Sequence, residues 1–352
     1  MLIQVEGTCL FQEKPSGISS YCQNLIKGLQ EYCDPEVILP YSRVNKYLKH
    51  RNQKNHNRIK FKNYNLDLPW RRESLFHGVD MVLPKWTRSK KVLTIHDIYL
   101  FLDQREEISS KTFREKKLKQ LKESISMADH FISVSQKTKE DFCDFFSIPE
   151  SKVSVTHLGY RKPEQIHNNS NNLNLPEKYI LFVGTLSERK NCLRMLEAFS
   201  RLHDKSLHFI FAGGKVPNYP FFEKIKSLKL ESRVQYFDYV TDSDLSTLYF
   251  NATAFIFPTL YEGFGIPLLE AASIGLPVLT SNRGAAPEVL GKLGIYADPF
   301  SVDEIRDGME KVLNLKEDLE FKSQLISHAD TFSWNKTAKE TFEIYKKVTE
   351  SI

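Results

Sequence analysis

Two series of short β-branched and aromatic runs, each alternating with helical stretches, constrain this chain more than any other feature. The first series includes LIQVE, EVILP, KVLTIHD, HFISVS and KVSVTHLG; the second includes KYILFVG, LHFIFAGG, RVQYFD, TAFIFP and PVLTS. Strands spaced by helix-length segments build βαβ units around parallel sheets. Two such series give an α/β chain of two Rossmann-like halves. At 352 residues the chain exceeds what one hydrophobic core usually holds. Between the series lies the Asn-rich stretch Tyr160 to Lys178, with Pro163 and Pro176 and too few apolar residues for a core, which reads as a linker. The expected domains are residues 1–160 and 174–333, with a C-terminal helix over about 334–352. Ligands in such sheets bind beyond the carboxyl ends of the strands, so an active site is expected in the cleft between two facing halves.

Composition narrows the function classes. With 41% hydrophobic and 26% charged residues the chain reads as soluble and globular. Met1 to Glu6 begins like a strand rather than a signal peptide, and no apolar run approaches the roughly 20 residues of a bilayer span. Cys9, Cys22, Cys33, Cys143 and Cys192 are scattered, with no C-x-x-C spacing, and read as free thiols in a reducing cytoplasm. Residues 1–160 hold 26 Lys+Arg against 19 Asp+Glu, although the whole chain carries a formal charge of only +5. The excess gathers in Arg43 to Lys62 and in Lys111 to Lys122. These runs are either solvated faces or a surface for an anionic membrane or a diphosphate-bearing acceptor. Nucleic acid is not expected, since no aromatic-interleaved basic motif accompanies the charge.

Four segments could carry chemistry. In PTLYEGFGIPLLE a buried strand runs into a glycine turn and a helix begins at or just before Pro267, a residue suited to a first helical position. Amides of Gly265 and Ile266 at the positive end of that helix form an anion site, and Gly263 and Gly265 let backbone approach a phosphate. Glu262 and Glu270 flank the turn, where carboxylates can accept hydrogen bonds from sugar or ribose hydroxyls; Glu270 alone also fits a glutamate at a helix start. In LFVGTLSERKN a strand ends at Gly184, and Arg189 and Lys190 precede a helix starting near Asn191. Two cations there could clamp a diphosphate and absorb the charge left when a sugar departs. In PSGISSYCQNLIKGL, Gly17 opens an amphipathic helix, and in KVLTIHD an apolar strand ends in His96 and Asp97. A structural histidine fits the last segment nearly as well as a catalytic one. Asp242-Ser243-Asp244 spells D-x-D, a spacing whose two carboxylates could hold a divalent ion on a diphosphate. It opens a helical stretch, and Thr241 with Asp244 fits a capping box, so no metal and no other cofactor is expected.

Taken together, EGFGIPLLE as an E-x7-E motif, R-K-N after G-T, and HD after an apolar strand resemble the retaining glycosyltransferases of family 4, which have the GT-B fold. FAGG, YFDYVTDSDL and APEV fit the same pattern. The resemblance implies a nucleotide-diphosphate sugar donor and a glycan or lipid-linked acceptor. It implies that Arg189 and Lys190 bind the diphosphate, and that Glu262 contacts the transferred sugar with help from Phe264 to Pro267. It further implies that Glu270 holds the ribose, that backbone around Val240 meets the base, that Gly17 lets the first loop touch the phosphates, and that His96 lies beside the reacting sugar. Many members carry two adjacent glycines where Gly17 is flanked by Ser16 and Ile18. The last helix in this family usually crosses back to the first domain, and Phe332, Trp334, Phe342 and Tyr345 could anchor it. The HD and GTLxxRKN segments resemble mannosyltransferases of surface-polysaccharide assembly, which points to GDP-mannose and to a cytoplasmic protein, peripheral at the inner membrane face if the basic runs bind lipid. Competing readings are an epimerase or phosphorylase on the same fold, which would need no acceptor, and a non-catalytic nucleotide-sugar binder, which would neither hydrolyse nor transfer.

Overall fold

The computed structural model describes residues 2–11, 16–40, 59–62, 74–85, 89–103, 110–165 and 173–350. Contacts divide the chain into unit 1, Met1–Gly159 with Ser333–Ile352, and unit 2, Tyr160–Phe332.

Unit 1 runs β1 (Leu2–Glu6), α1 (Gly17–Leu29), β2 (Glu36–Pro40), β3 (Ile59–Lys62), β4 (Ser74–Gly78), β5 (Ser89–Ile95), the single turn α2 (Tyr99–Leu102), α3 (Lys111–Met127), β6 (His130–Ser133), α4 (Gln136–Phe146) and β7 (Val153–Val155). The strands form one sheet in the order β3-β2-β1-β4-β5-β6-β7, with every pairing parallel. Both faces of a parallel sheet are covered by helices, so its strands are apolar throughout. Phe76, Leu93, Ile95, Phe131 and Phe142 accordingly share one buried cluster. Of the basic run Arg43 to Lys62, residues 43–58 lie outside the described residues, and the rest is β3. On α3 only Leu121 and Ser124 are buried, and Lys111, Lys116, Lys119 and Lys122 face solvent.

Unit 2 runs β8 (Tyr179–Val183), α5 (Cys192–Ser200), β9 (His208–Ala212), α6 (Phe221–Ser227), β10 (Val234–Phe237), α7 (Asp242–Asn251), β11 (Ala254–Phe257), α8 (Ile266–Ala272), β12 (Val278–Ser281), α9 (Ala286–Leu290), β13 (Ile295–Ala297), α10 (Val302–Leu313) and α11 (Leu319–Ala329). Its parallel sheet has the order β10-β9-β8-β11-β12-β13. A ladder of rings crosses it, with Phe182 5.5 Å from Phe211 and 5.7 Å from Phe257. In each sheet the strand order reverses beside the first strand, between β1 and β4 and between β8 and β11. That switch point is where an open α/β sheet leaves a crevice for a ligand.

The stretch expected as a linker behaves differently at its start. Tyr160 donates to Asp330 at 3.2 Å, Arg161 pairs with Asp242, and the Glu164 amide bonds Ser246 at 3.3 Å, so residues 160–165 are held on unit 2. Residues 166–172 lie outside the described residues. The chain returns to unit 1 at Ser333 and ends in α12 (Trp334–Glu350). There Phe342 stacks on Tyr32 at 5.5 Å, and a Cβ on Gly28 of α1 would lie 2.6 Å from the Cβ of Ala338. Glycine is needed at 28 because the two helices approach too closely for any side chain. Phe332 instead stays with unit 2, edge-on to Phe264 at 6.0 Å.

The sequence reading missed β3, β4 and β13. IKFK is half charged, SLFHG contains a histidine and a glycine, and IYA has three residues, so none shows the apolar run that marked the others.

Candidate active site

The groups of unit 2 gather in the loops after β8 and β11, at its switch point. After β8, Gly184 sits at φ +149, and Gly213 packs so close that a Cβ there would lie 2.4 Å from the Gly184 carbonyl. The following loop is pinned by Asn191, a 1% exposed residue in the left-handed region at φ 63. Its amide donates to the carbonyls of Pro258 at 2.9 Å and Pro299 at 2.7 Å. The Leu260 amide in turn donates to the Arg189 carbonyl at 2.9 Å. Asn191 therefore joins the two loops, a role that R-K-N did not reveal because both partners are more than sixty residues away. Asparagine tolerates the left-handed region through its short polar side chain, which is the local signal that could have found it.

This pinning brings Arg189, Lys190 and Glu262 together. Lys190 Nζ donates to Glu262 Oε1 at 2.8 Å, while Arg189 Nη1 lies 3.4 Å from Oε2 and donates to the Tyr261 carbonyl at 3.1 Å. Lys190 Nζ also stands 4.8 Å from the Phe257 ring centre, within cation–π range. Burial alone would push the Glu262 carboxyl up. The charges of Arg189 and Lys190, with hydrogen bonds from Lys190 and Thr259, outweigh burial and hold the group below its ordinary value. Burial lowers Lys190, Glu262 opposes that shift, and Arg189 adds to it. The backbone beneath is equally crowded: a Cβ on Gly284 would lie 2.8 Å from the Glu262 amide nitrogen, and Gly284 is at φ +63. The cluster thus carries two cations and one anion, a net positive charge in a largely enclosed place.

Gly265 caps α8 at φ +100 with Pro267, which carries no amide hydrogen, in the first turn. The Leu268 amide donates to the Gly265 carbonyl at 2.9 Å, so Ile266 brings the first amide of this helix. Gly263, Phe264 and Ile266 complete this turn, with Phe264 4% exposed. Glu270 does not join the cluster with Glu262. Its Oε2 accepts from the Tyr249 hydroxyl at 3.0 Å, and burial pushes its carboxyl up to about 7 against the lowering effects of Tyr249 and Arg161. A glutamate stabilised only by a helix dipole would shift the other way. Val240 is half-buried in the loop between β10 and α7.

The D-x-D segment forms the first turn of α7. Thr241 Oγ1 accepts from the Asp244 amide at 3.1 Å and donates to its carboxylate at 2.8 Å, and Asp242 pairs with Arg161.

In unit 1, His96 follows β5 and donates from Nε2 to the Val79 carbonyl at 2.9 Å. A carbonyl can only accept, so Nε2 carries the proton and Nδ1 keeps its lone pair. Burial holds this imidazole below its ordinary value. Gly17 begins α1 behind an N-cap at Ser16, whose hydroxyl accepts from the Ser19 amide at 3.2 Å while Ser19 Oγ accepts from the Ser16 amide at 2.7 Å. Among the described residues a Cβ at Gly17 would meet nothing within 4 Å, so packing does not require glycine there.

Models of two families match the chain: "Glycosyltransferase Family 4" over residues 15–161 and "Glycosyl transferases group 1" over residues 163–330. O-antigen chain mannosyltransferase B of Escherichia coli is 29% identical over 290 residues, covering 78% of this chain and 74% of that protein. An uncharacterised glycosyltransferase of Methanocaldococcus jannaschii is 30% identical, covering 61% of this chain and 59% of its own length. Among solved structures, HepE of Anabaena in complex with UDP superposes with a TM-score of 0.76 at 16% identity, over 99% of this chain and 100% of that one. The fold and these matches together define a glycosyltransferase of the GT-B class. Within that class the two models, one on each half of the chain, make it of the family 4 type.

Proposed function

We propose that this protein transfers mannose from GDP-mannose, with retained anomeric configuration and without a metal ion, to a glycan or lipid-linked acceptor in surface-polysaccharide assembly. The observation that carries the reading is the Lys190–Glu262–Arg189 cluster at the switch point of unit 2, with its carboxylate buried and its two cations half-buried. Two cations there stabilise a departing diphosphate, the task a divalent ion performs elsewhere. The D-x-D carboxylates are already engaged by Thr241 and Arg161, which supports the metal-free reading. Glu262 meets the transferred sugar, Glu270 the ribose, and backbone near Val240 the base, with Gly184 and the turn Gly263 to Ile266 lining the donor. Unit 1 carries Gly17 and His96. The departing diphosphate deprotonates the incoming hydroxyl on the face it leaves, which retains configuration without a glutamyl intermediate. The mannosyl donor is favoured by the O-antigen relative from Escherichia coli.

Nuclear magnetic resonance of the product formed from GDP-mannose in excess EDTA tests all three parts. Turnover with an α-linked product is expected, because GDP-mannose is itself α-linked. A β-linked product would overturn retention, and activity restored only by Mg²⁺ or Mn²⁺ would overturn the metal-free step. Turnover of another nucleotide sugar alone would replace the donor.

The solvent-facing lysines of α3, with Phe113 48% exposed beside them, are assigned to an anionic membrane at the inner face. Sedimentation with anionic vesicles should exceed that with neutral ones and decline as salt rises. Equal sedimentation with both would return α3 to a solvated helix face. No described helix is long and apolar enough to cross a membrane.

A further inference from the structure

Four side chains within unit 1 form a buried chain of hydrogen bonds that nothing in the proposed reaction uses. It starts on α12, where the Tyr345 hydroxyl lies 2.6 Å from His77 Nδ1. His77 Nε2 lies 2.6 Å from Thr94 Oγ1, and Thr94 Oγ1 lies 3.0 Å from the Tyr21 hydroxyl on α1. Tyr345, His77 and Tyr21 are 0% exposed and Thr94 is 2% exposed. Burial holds His77 well below its ordinary value, to about 3, so the ring is neutral and each nitrogen has one fixed role. A neutral ring is satisfied by a Tyr345 hydroxyl giving to Nδ1 and Nε2–H giving to Thr94, or by the reverse wiring.

The chain ends against the candidate site. The Tyr21 ring meets the His96 ring edge-on, with centres 4.9 Å apart and planes at 83°. His96 is thus held on one side by the Val79 carbonyl and on another by Tyr21. Tyr21 also lies one helical turn after Gly17 on α1, so the ring that braces His96 sits on the helix that Gly17 opens.

We propose that Tyr21 is a positioning residue for His96, and that Tyr345 of the last helix, acting through His77 and Thr94, fixes the Tyr21 ring. Its consequence for catalysis rests on the reading that His96 acts beside the reacting sugar. Buried networks whose members are all satisfied rigidify what they touch, and small displacements of a reacting group cost rate rather than binding.

The test uses the full chain with ¹⁵N-labelled histidine, the His96 signals being assigned by their loss in His96→Gln. Wild type should show an Nε2–H tautomer with a sharp Nδ1 resonance. Tyr21→Phe and Tyr345→Phe each remove one hydroxyl and keep the ring. Each should broaden or shift the His96 Nδ1 resonance and lower kcat about tenfold with little change in donor KM. The double variant should lose little more than the worse single one, because both cut the same chain. Lowered Tm with an unmoved His96 resonance and unmoved kcat would overturn the proposal, leaving a structural tie. If Tyr21→Phe does not fold, Tyr345→Phe decides by the same two readouts. If His96→Gln keeps full kcat, the role of His96 in the reaction fails, whereas the resonance still tests the positioning.

Discussion

Lys190→Ala should lower kcat by about 10²–10³, the cost of losing one preorganised group facing charge that develops in the transition state. The variant should still fold. Lys190 is the closer of the two cations on Glu262, at 2.8 Å, but Arg189 remains at 3.4 Å to keep that buried carboxylate paired. Removing one partner of a buried ion pair is costly, so Tm should fall as well. Lys190→Arg separates the two effects, since it restores charge without the compact ammonium, and should recover stability more than rate. Melting curves and kcat for the two variants check this. Near-normal turnover in Lys190→Ala would remove the residue from the mechanism.

Glu262→Gln and Glu270→Gln should fail in different ways. The first should chiefly lower kcat and leave nucleoside-diphosphate binding intact or tighter, because a negative charge has left a site for an anion. It should also move the alkaline limb of the kcat/KM profile to lower pH, since Glu262 is what holds the Lys190 ammonium up against burial. Glu270→Gln should mainly weaken donor binding, because ribose contacts are alike in ground and transition states. In wild type the Glu270 carboxyl titrates near 7, so nucleotide affinity should fall as pH drops through 7, and the Gln variant should lose that dependence. Stability has the opposite sign. A carboxyl raised from 4.5 to about 7 on folding keeps a proton that the unfolded chain has released, so the fold loses stability as pH rises between those values. Glu270→Gln should therefore melt higher than wild type at pH 8 while binding donor more weakly. Identical kinetic profiles and identical melting for the two variants would contradict this division.

How much of this was legible before the structure depends on the range of the interaction. LIQVE and YILFV announce themselves as strands because a doubly covered parallel sheet requires unbroken apolar runs. IKFK and SLFHG do not, since their place in the sheet is decided by neighbours such as β2 and β5 and not by local composition. The turn at Gly265 and the helix behind it were readable from glycine and proline spacing alone. The pairing of Lys190 with Glu262 was not, because 72 residues separate them and only the adjacency of β8 and β11 brings them together. The roles assigned to both came from family resemblance. The Tyr249 hydroxyl on Glu270, and with it the raised carboxyl, had no sequence signal beyond helical spacing.

The return of the chain to unit 1 orders events during synthesis. Domains usually fold from the amino terminus as they emerge. Here residues 160–332 have everything their sheet needs once Phe332 has been made, whereas unit 1 still lacks Tyr345 for the buried His77 and Ala338 for the face of α1. The unit translated first is therefore completed last, with unit 2 fully synthesised before it. A nascent or truncated chain ending near residue 332 would expose the apolar face of α1 and strand a polar imidazole in the interior. Expression of residues 1–159 alone should accordingly yield an aggregation-prone product, and supplying residues 333–352 as a fused or separate segment should rescue it.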